Sequence, residues 1–496
     1  MVFISTVTFW SPPYFRPVLY LIGGMLVALA AMMLLPAAVD AAAGHSGWKA
    51  FAASSVLTLL CGGGTLYAAH CRLATGLTLR QAFLLTPLSW LTVSVFAAVP
   101  LAFSDYGPLR DNITNAFFEA VSGLTTTGAT VIVGLDAAPP GILLWRALLQ
   151  WMGGIGIIAT AIAILPTLGV GGMQLFRTES SDRSEKVMPR VRQIATAIVA
   201  IYVGLTVVCA VCYWLAGMTV FDAVAHALTT VSTAGFSTYD ASMGHWDSPA
   251  IHWIAILFML SGAIPFVLYV RLLHGERDAL WDSQVRTLFG FLLVVIAAIA
   301  AWLVATGRYG LSDALRHSAF NVVSIVTTTG YATTDYSLWG NVVVGVFFGL
   351  MFIGGCTGST TGGIKIFRLE VMALMLRTHF LRLLYPRGVF PRVYGGRLLP
   401  DEVVGSVIVF LSVYFVCYSV LTVALMAFDL DFLTSTSAAV SSLSNVGPGL
   451  GPIIGPAGNF STLPMGAKWL LCFGMLLGRL ELFTVLILFL PQFWRG

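Results

Sequence analysis

The sequence predicts an all-α polytopic membrane protein, with two N-terminal transmembrane helices followed by four pseudo-repeats of span, re-entrant pore loop and span around one pore. Three observations predict this fold. Of the 496 residues, 58% are hydrophobic and only 10% are charged, against about 25% charged residues in soluble domains. Ten apolar runs are long enough to cross a bilayer, and one short polar motif recurs four times between them. With a mean hydropathy of +0.88, apolar residues must cover the outside of the fold as well as fill its core.

The ten predicted spans each contain about 20 mostly apolar residues, the length that a helix needs to cross lipid. They begin near residues 17, 50, 81, 141, 193, 250, 285, 340, 403 and 465. The eighth span is interrupted by the glycine-rich stretch GGCTGSTTGGIK at 354–365. The first residues, MVFISTVTFWSPPYF, lack the basic region and cleavage site of a secretory signal, so we expect the N-terminus to be retained.

Basic residues are distributed unequally between the two sides of a ten-span arrangement. Eighteen of the 26 basic residues fall on one side, which the positive-inside rule assigns to the cytoplasm together with both termini. The opposite side carries eleven acidic and five basic residues, so it is about six charges negative. The net charge of the chain is only +4, with no basic cluster of the kind that binds nucleic acid. We therefore expect a multi-pass protein of a cytoplasmic membrane and no nucleic-acid partner.

Four semi-polar segments lie between pairs of spans, near 112–126, 221–233, 313–328 and 432–445, and they match one another. They end in LTTTGAT, VSTAGFS, VTTTGYA and LSNVGPG, which places Gly128, Gly235, Gly330 and Gly447 in register. Each segment has Ser or Thr both three and six residues before its glycine. The segments are too short and too rich in hydroxyl groups to cross lipid, so we expect short re-entrant helices. The expected N-caps of these helices are Asp111 or Asn112, Asp222, Ser312 or Asp313, and Asp429 or Asp431.

Four re-entrant loops of this kind can together surround one pathway through the membrane. A re-entrant loop leaves backbone groups unpaired at membrane depth, which is tolerated where the loop lines water or is buried in protein. Around a common axis, the carbonyl and hydroxyl oxygens of four loops can replace the water around a cation. Glycine suits the narrowest position because it adopts positive φ without a steric penalty, and the negative ends of the short helices would point at the same axis. The pattern therefore predicts a pathway for cations.

These motifs are similar to those of the Trk/Ktr/HKT superfamily of cation channels, specifically its bacterial TrkH-type potassium-uptake subunits. TTTGAT, STAGFS, TTTGYATTD and SNVGPGLG resemble the four filter loops of that family, and GGCTGSTTGGIK resembles its intramembrane loop. The resemblance covers about residues 80–490, and the two leading spans match the TrkH branch. It implies potassium uptake by a homodimer in which each protomer has its own pore. It also implies a cytoplasmic TrkA-type regulatory ring that binds NAD(H) or ATP, whereas no cofactor is expected in this chain.

By that resemblance, the selectivity filter consists of the three residues that end at each glycine, and these residues bind K⁺. They are Thr126, Thr127, Gly128, Thr233, Ala234, Gly235, Thr328, Thr329, Gly330, Asn445, Val446 and Gly447. Family members with serine in the first loop tend to pass sodium, so Gly128 favours potassium. Asn445 and Pro448 depart from the residues at the same places in the other loops, so we expect the filter to be only approximately fourfold.

The resemblance also implies a gate at residues 354–365, just below the filter. The gate residues within this stretch are Gly354, Gly355, Gly358, Gly362, Gly363 and Lys365. Lys365 does not make this stretch a phosphate-binding loop, because it follows Ile364 rather than glycine and the flanks are helical. Arg479 interrupts the last span, where a charge is expensive and indicates a function. We expect Arg479 to face the pore beneath the filter as an electrostatic barrier, rather than to pair with Glu481, which points to another side of the helix.

Other polar residues are expected to support this arrangement. Glu119 and His226 occupy the same register in two of the short segments, and we expect them to hold the loops by buried hydrogen bonds. Asp136, Asp240 and Asp335 follow three of the glycines, and we expect them to attract cations to the outer vestibule. The seven cysteines are an odd number and lie in or beside apolar runs, so they indicate no disulfide framework.

The main alternative is a secondary transporter that couples potassium to protons or sodium. Broken helices near the membrane midplane would serve it too, but such proteins usually contain two repeats, and this chain has no series of buried carboxylates. An enzyme is not expected, since neither HExxH nor GxSxG occurs. A voltage-gated channel is not expected, because no span carries arginine at every third position.

The repeats divide the chain into five units. We expect residues 1–75 to form the two extra N-terminal helices, 76–170 pore repeat 1, 171–280 pore repeat 2, 281–385 pore repeat 3 with the gate loop, and 386–496 pore repeat 4. Such an arrangement would place the protein in the bacterial inner membrane with both termini in the cytoplasm.

Overall fold

The computed structural model describes residues 12–71, 77–163 and 187–495, and the regular secondary structure of these residues is almost entirely helical. In chain order, the main helices of the ten predicted spans are α1 Pro12–Ala42, α2 Trp48–Ala68, α3 Leu79–Ala102, α5 Pro140–Ala163, α6 Val187–Leu215, α8 Pro249–Ala263, α10 Ser283–Ala305, α13 Ile366–Leu384, α14 Asp401–Met426 and α17 Met465–Arg479. The remaining α-helices are α4 Ile113–Leu124, α7 Val220–Val231, α9 Phe266–Leu273, α11 Leu311–Val326, α12 Asn341–Leu350, α15 Phe432–Ser444, α16 Gly451–Ile454, α18 Phe483–Leu486 and α19 Pro491–Trp494. Strands β1 Val393–Tyr394 and β2 Arg397–Leu398 form one antiparallel hairpin.

The predicted spans are present, but three of them are broken rather than one. Seven described helices are long and apolar enough to cross a bilayer, and two bent pairs of helices bring the number to nine. The eighth predicted span is α12 and α13 with the glycine-rich loop between them, as expected. The breaks in the sixth and tenth spans were not predicted from the sequence. Helices α8 and α9 meet at 90°, and α17 meets the segment after it at 109°.

The causes of the two unexpected breaks differ. Pro265 lies between α8 and α9, where it lacks the N–H that would continue the helix. The bend after α17 is made by Glu481 and Leu482, which both adopt positive φ, at 60° and 41°. Positive φ is incompatible with a right-handed helix, so the chain turns at these two residues.

The four predicted re-entrant segments are the short helices α4, α7, α11 and α15, which we call the pore helices. Each follows one span and precedes the next, so all four begin at the same face of the bundle, the upper face. The side chains of Asn112 and Asp431 cap α4 and α15, as expected. The other two expected N-caps are wrong, because those helices begin earlier. Thr219 rather than Asp222 caps α7, and α11 begins after Gly310, which supplies no side-chain cap.

The apolar interior consists of two clusters around the pore helices. One joins the two leading helices with the first and fourth span pairs, and the other joins the second and third pairs. Helices α1 and α2 approach closely at Gly23 and Gly62, where an added Cβ would lie within 3.0 Å of the facing helix. Asp40 at the end of α1 accepts a 2.6 Å hydrogen bond from the N–H of Gly141 and thereby caps α5. The leading helices are thus fixed to the first pair of spans.

Candidate functional site

All four pore helices end at the centre of the molecule in the same hydrogen-bonded turn. The N–H two residues before each predicted filter glycine donates to the carbonyl three residues upstream, at 3.0–3.3 Å. The next N–H donates to the carbonyl five residues upstream, at 2.8–3.0 Å. The second set of bonds is Thr127 to Ser122, Ala234 to Thr229, Thr329 to Ser324 and Val446 to Ser441. This pair of bonds is the Schellman motif, which satisfies the last carbonyls of a helix.

The residue that closes a Schellman motif adopts left-handed φ and is usually glycine. Here the four positions hold Thr126, Thr233, Thr328 and Asn445, with φ of 52°, 51°, 55° and 55°. Two residues further on, the backbone is left-handed again, at Gly128, Gly235, Gly330 and Gly447, with φ of 84°, 80°, 83° and 107°. The four loops therefore have one backbone conformation, although the fourth has Asn445 where the others have threonine.

The four glycines close a ring. An added Cβ on any of them would lie within 3.0 Å of a backbone carbonyl oxygen in the next repeat. The contacts run from Gly128 to Ala234, from Gly235 to Thr329, from Gly330 to Val446 and from Gly447 back to Thr127. Because repeat 1 meets repeat 2, 2 meets 3, 3 meets 4 and 4 meets 1, the loops surround one axis in chain order. Four carbonyl oxygens, those of Thr127, Ala234, Thr329 and Val446, lie where the loops meet.

A buried ion pair holds the first loop. The carboxylate of Glu119 accepts hydrogen bonds from Arg146 Nε at 2.7 Å and from the Val131 N–H at 2.9 Å. Arg146 also donates to the carbonyl of Ser237 in the second repeat, at 2.8 Å. Both side chains are buried, so this pair satisfies two charges and links two loops. Glu119 supports the loop as expected.

Equivalent polar residues hold the second and third loops. The Nδ1–H of His226 donates to the carbonyl of Asp222 at 2.8 Å, so its Nε2 accepts from the Ser237 hydroxyl at 3.0 Å. Asn321 has the same register and brackets Thr333, whose hydroxyl accepts from Nδ2 at 2.9 Å and whose N–H donates to Oδ1 at 3.3 Å. Sequence reasoning missed Asn321, although its position nine residues before Gly330 was the available signal.

Gln150 is a second residue that sequence reasoning missed. From helix α5 its Nε2 donates to the carbonyl of Ala234 at 2.7 Å, and its Oε1 accepts from the Phe236 N–H at 3.0 Å. The amide thus holds the backbone on both sides of Gly235. A glutamine inside an apolar span was the available signal, because a buried polar side chain requires partners.

Cavities lie on both sides of the ring. The upper cavity is lined by Gly128, Gly235 and Gly330 together with Asp240 and Asn459. The lower cavity is lined by the glycine-rich loop, by Phe410 and Tyr414 of α14, and by the end of α17. The ring of loops and the glycine-rich loop therefore separate two spaces along one axis.

Two of the acidic residues expected in the outer vestibule act on the backbone near the upper cavity. Asp240 accepts from the N–H groups of Gly134 and Leu135 at 2.8 and 3.0 Å, and Asp136 accepts from the N–H of Asp240 at 3.3 Å. Asp335 instead caps a short turn by accepting from the Ser337 N–H at 2.9 Å. Asp240 thus joins the first two repeats above the ring.

The glycine-rich loop, residues 354–365, folds back on itself beneath the ring. The N–H of Gly354 donates to the carbonyl of Ile364 at 2.6 Å, and Gly355 donates to the Thr361 hydroxyl at 3.1 Å. Gly358 and Gly363 have positive φ, of 82° and 65°. Gly362 is so close to the carbonyl of Ser444 that a Cβ would not fit. These contacts explain the glycines by the close approach of the loop to itself and to the fourth pore helix.

Lys365 and Arg479, the two cationic residues predicted for the gate, both line the lower cavity. Lys365 Nζ donates to the carbonyl of Thr361 at 2.5 Å and so returns to its own loop. Arg479 Nη1 donates to the carbonyl of Thr360 at 2.9 Å. The remaining Nε and Nη2 of Arg479 are buried without a hydrogen-bond partner among the described residues. Arg479 thus joins the last span to the glycine-rich loop.

Glu481 does not pair with Arg479. Its carboxylate pairs with Arg368 of α13, which also lies over the ring of Phe410 at 3.6 Å. The expected separation of Glu481 and Arg479 is confirmed, and the pairing with Arg368 depends on the bend after α17. This ion pair fixes that bend to the helix that follows the glycine-rich loop.

Fold and site together define a polytopic α-helical membrane protein whose four repeats bring four re-entrant loops to one axis. A sequence model of the TrkH family, described as cation transport proteins, matches residues 47–495. The chain belongs to this family. Its relatives carry the names of transport proteins rather than of enzymes.

Individual relatives match almost the whole chain. The chain is 47% identical to the Trk system potassium uptake protein TrkI of Halomonas elongata over 97% of both chains. It is 38% identical to the Trk system potassium uptake protein TrkH of Escherichia coli over 97% of this chain and 100% of that protein. The crystal structure of the potassium transporter TrkH from Vibrio parahaemolyticus superimposes with a TM-score of 0.89 at 37% identity, covering 97% of this chain and 100% of that one.

Proposed function

We propose that this protein takes up potassium through a selectivity filter made of the four central loops. The observation that carries the proposal is the closed ring of contacts from each glycine to a carbonyl oxygen of the next repeat. Carbonyl oxygens at fixed positions can replace the water of a cation without proton transfer. The filter comprises the twelve residues at 126–128, 233–235, 328–330 and 445–447, and K⁺ is the bound ion.

The glycine-rich loop and Arg479 form the gate of this pathway. The loop lies between the ring and the lower cavity, and Arg479 adds a positive charge that no described carboxylate pairs. A cation approaching a buried guanidinium is repelled strongly, because the surroundings screen poorly. Replacing Arg479 by alanine therefore raises basal potassium flux.

The membrane arrangement follows from the charge pattern. The upper face is external and both termini are cytoplasmic, in a bacterial inner membrane, and the five units have the boundaries expected from the sequence. The protein works as a homodimer with a cytoplasmic TrkA-type ring, and NAD(H) or ATP binds to that ring rather than to this chain. The family and the names of its potassium-uptake relatives support this assignment.

Potassium, rubidium, sodium and lithium fluxes into liposomes that hold the purified protein test the proposal, with no proton or second cation gradient imposed. We expect potassium and rubidium to follow their own electrochemical gradients. A Gly330→Ser variant loses this flux, because the new side chain would meet the Val446 carbonyl and Pro448. Flux that requires a second gradient would instead indicate a coupled transporter, with the four loops acting as a binding site.

A further inference from the structure

The glycine-rich loop is attached to the ring by two threonines of the central loops. The hydroxyls of Thr233 and Thr360 are 2.9 Å apart. The hydroxyl of Thr328 accepts a hydrogen bond from the Gly362 N–H at 2.8 Å. All of these groups are buried, so water does not replace either bond while the loop stays in place.

The hydroxyls of Thr233 and Thr360 each have a backbone carbonyl within hydrogen-bond distance besides each other. Thr360 Oγ1 lies 3.0 Å from the carbonyl of Gly262, which can only accept. Thr233 Oγ1 lies 2.8 Å from the carbonyl of Ser232 as well, so the two hydroxyls have two protons for three contacts. The bond between Thr233 and Thr360 forms when one of these hydroxyls donates to the other instead of to its own carbonyl partner. Thr360 also offers its own backbone carbonyl to Arg479. One loop residue is therefore held by the second repeat, by the broken sixth span and by the last span.

The backbone does not require these hydroxyl bonds. Thr126 has the same left-handed conformation as Thr233 and Thr328 at the equivalent place in the first repeat. Among the described residues, the threonine hydroxyls that bond the central loops to the glycine-rich loop are those of Thr233 and Thr328, not that of Thr126. The conformation that ends a pore helix can thus be separated from the contact that holds the loop.

We propose that Thr233 and Thr328 are a latch, in which two filter hydroxyls hold the glycine-rich loop closed beneath the ring. Because the loop lies between the ring and the lower cavity, a cation passes only after both bonds have broken. This proposal rests on the proposed potassium function. It adds that Thr233 and Thr328, two filter residues, also stabilise the closed position of the glycine-rich loop.

Substituting valine for threonine at the two positions tests the latch, because valine keeps the shape of the side chain and removes the hydroxyl. The readout is basal potassium flux into liposomes without a regulatory partner or nucleotide. The net contribution of one neutral hydrogen bond corresponds to a factor of about five, so Thr233→Val and Thr328→Val each raise basal flux about fivefold. The double variant raises it further. Serine at either position restores the low basal flux, because it keeps the hydroxyl.

Thr86→Val is the control, with the same substitution at a buried threonine of α3 whose hydroxyl donates to the carbonyl of Ala82 in its own helix. It leaves basal flux unchanged. If Thr233→Val and Thr328→Val alter the potassium-to-sodium ratio and neither raises basal flux, the hydroxyls serve the filter alone and the latch is wrong. Unchanged flux in Thr233→Val and Thr328→Val, in a protein whose flux Arg479→Ala increases, also overturns the latch. Absence of potassium flux from every variant and from the unmodified protein would contradict the proposed function instead.

A variant on the loop side covers the case in which a filter substitution prevents folding. Thr360→Val removes the other hydroxyl of the first bond and leaves the filter sequence intact. It raises basal flux about as much as Thr233→Val, and the double variant adds less than the sum of the two, because both remove one interaction. Fully additive effects on the logarithm of the flux would refute a direct bond between the two residues.

Discussion

Gly235 provides the sharpest test of the ring of loops. It has φ of 80°, and an added Cβ would overlap the carbonyl oxygen of Thr329 and lie 3.3 Å from the carbonyl carbon of Gly330. The obstacle is backbone rather than a flexible side chain, so it cannot move without changing the ring itself. Gly235→Ala must therefore turn the Thr329 carbonyl away from its position in the ring.

The size of the effect follows from two contributions. Left-handed φ costs an alanine about 1–2 kcal/mol relative to glycine, which lowers stability. A cation that loses one ring oxygen loses about 1.5–3 kcal/mol, the range for a polar contact with a charge. Because each 1.4 kcal/mol is about tenfold, potassium flux falls about 10- to 100-fold. Sodium flux falls less, since the distorted ring no longer fits potassium better.

Gly217 supplies the matched control. It has φ of 108° in the turn before pore helix α7, and no atom would lie within 4 Å of an added Cβ. Gly217→Ala therefore has the free-energy cost of an alanine at left-handed φ, without a steric clash between its Cβ and another residue. The assay is potassium and sodium flux in liposomes, together with the thermal unfolding midpoint of each variant. Normal potassium flux and selectivity in Gly235→Ala would refute the ring as the selective element. An equal loss of flux in Gly217→Ala would attribute the effect to backbone strain.

Two further predictions concern the support of the loops. Gln150→Leu removes both hydrogen bonds that flank Gly235, so we expect the potassium-to-sodium flux ratio to fall about tenfold, whereas an unchanged ratio would show that Ala234 and Phe236 hold their positions unaided. At the upper face, partial burial alone would raise the pKa of Asp431, but hydrogen bonds from Thr434 and neighbouring N–H groups hold that pKa below its ordinary value of 3.8. The charged cap therefore stabilises above the unfolded pKa and is lost as pH falls through the folded one. Asp431→Asn keeps the cap, so at pH 7 its free energy of unfolding is lower than that of the unmodified protein by about 0.5 kcal/mol or less. The difference shrinks as pH falls below 3.8 and vanishes below the folded pKa of Asp431; a difference that persists there would contradict this explanation.

The repeated unit could be predicted because its chemistry is local. Each repeat has Ser or Thr six and three residues before its glycine, at Gly128, Gly235, Gly330 and Gly447. The turn at each glycine involves only neighbouring residues of the chain. The N-termini of the pore helices were predicted less accurately. Helix α11 begins at Leu311, so Asp313, expected to be its N-cap, lies in the first turn and pairs with Arg316 at 3.0 Å. A short polar helix start offers several capping residues, and packing of the preceding turn decides among them.

Long-range partners could not be predicted from the sequence. Gln150 and Ala234 are 84 residues apart, and Arg368 and Glu481 are 113 residues apart. In a span that is apolar on all sides, the sequence does not indicate which face a polar residue presents to its neighbours. The bend after α17 occurs at Glu481 and Leu482, and neither residue type indicates a bend in the way that proline or glycine does. The ion pair between Glu481 and Arg368 lies at this bend and joins it to α13.

Arg479 and the glycine-rich loop, which together form the proposed gate, both line the lower cavity. Arg479 would repel a cation there, and the same guanidinium is bound to the Thr360 carbonyl of the glycine-rich loop. A loop that moves aside must break that bond or carry Arg479 with it. Glu481, two residues later, is tied to Arg368, only three residues beyond Lys365 at the end of the loop. In the proposed gate, a displacement of α13 would act on the loop through Lys365 and on the last span through Glu481, so we predict that the loop and the charge of Arg479 leave the pathway together.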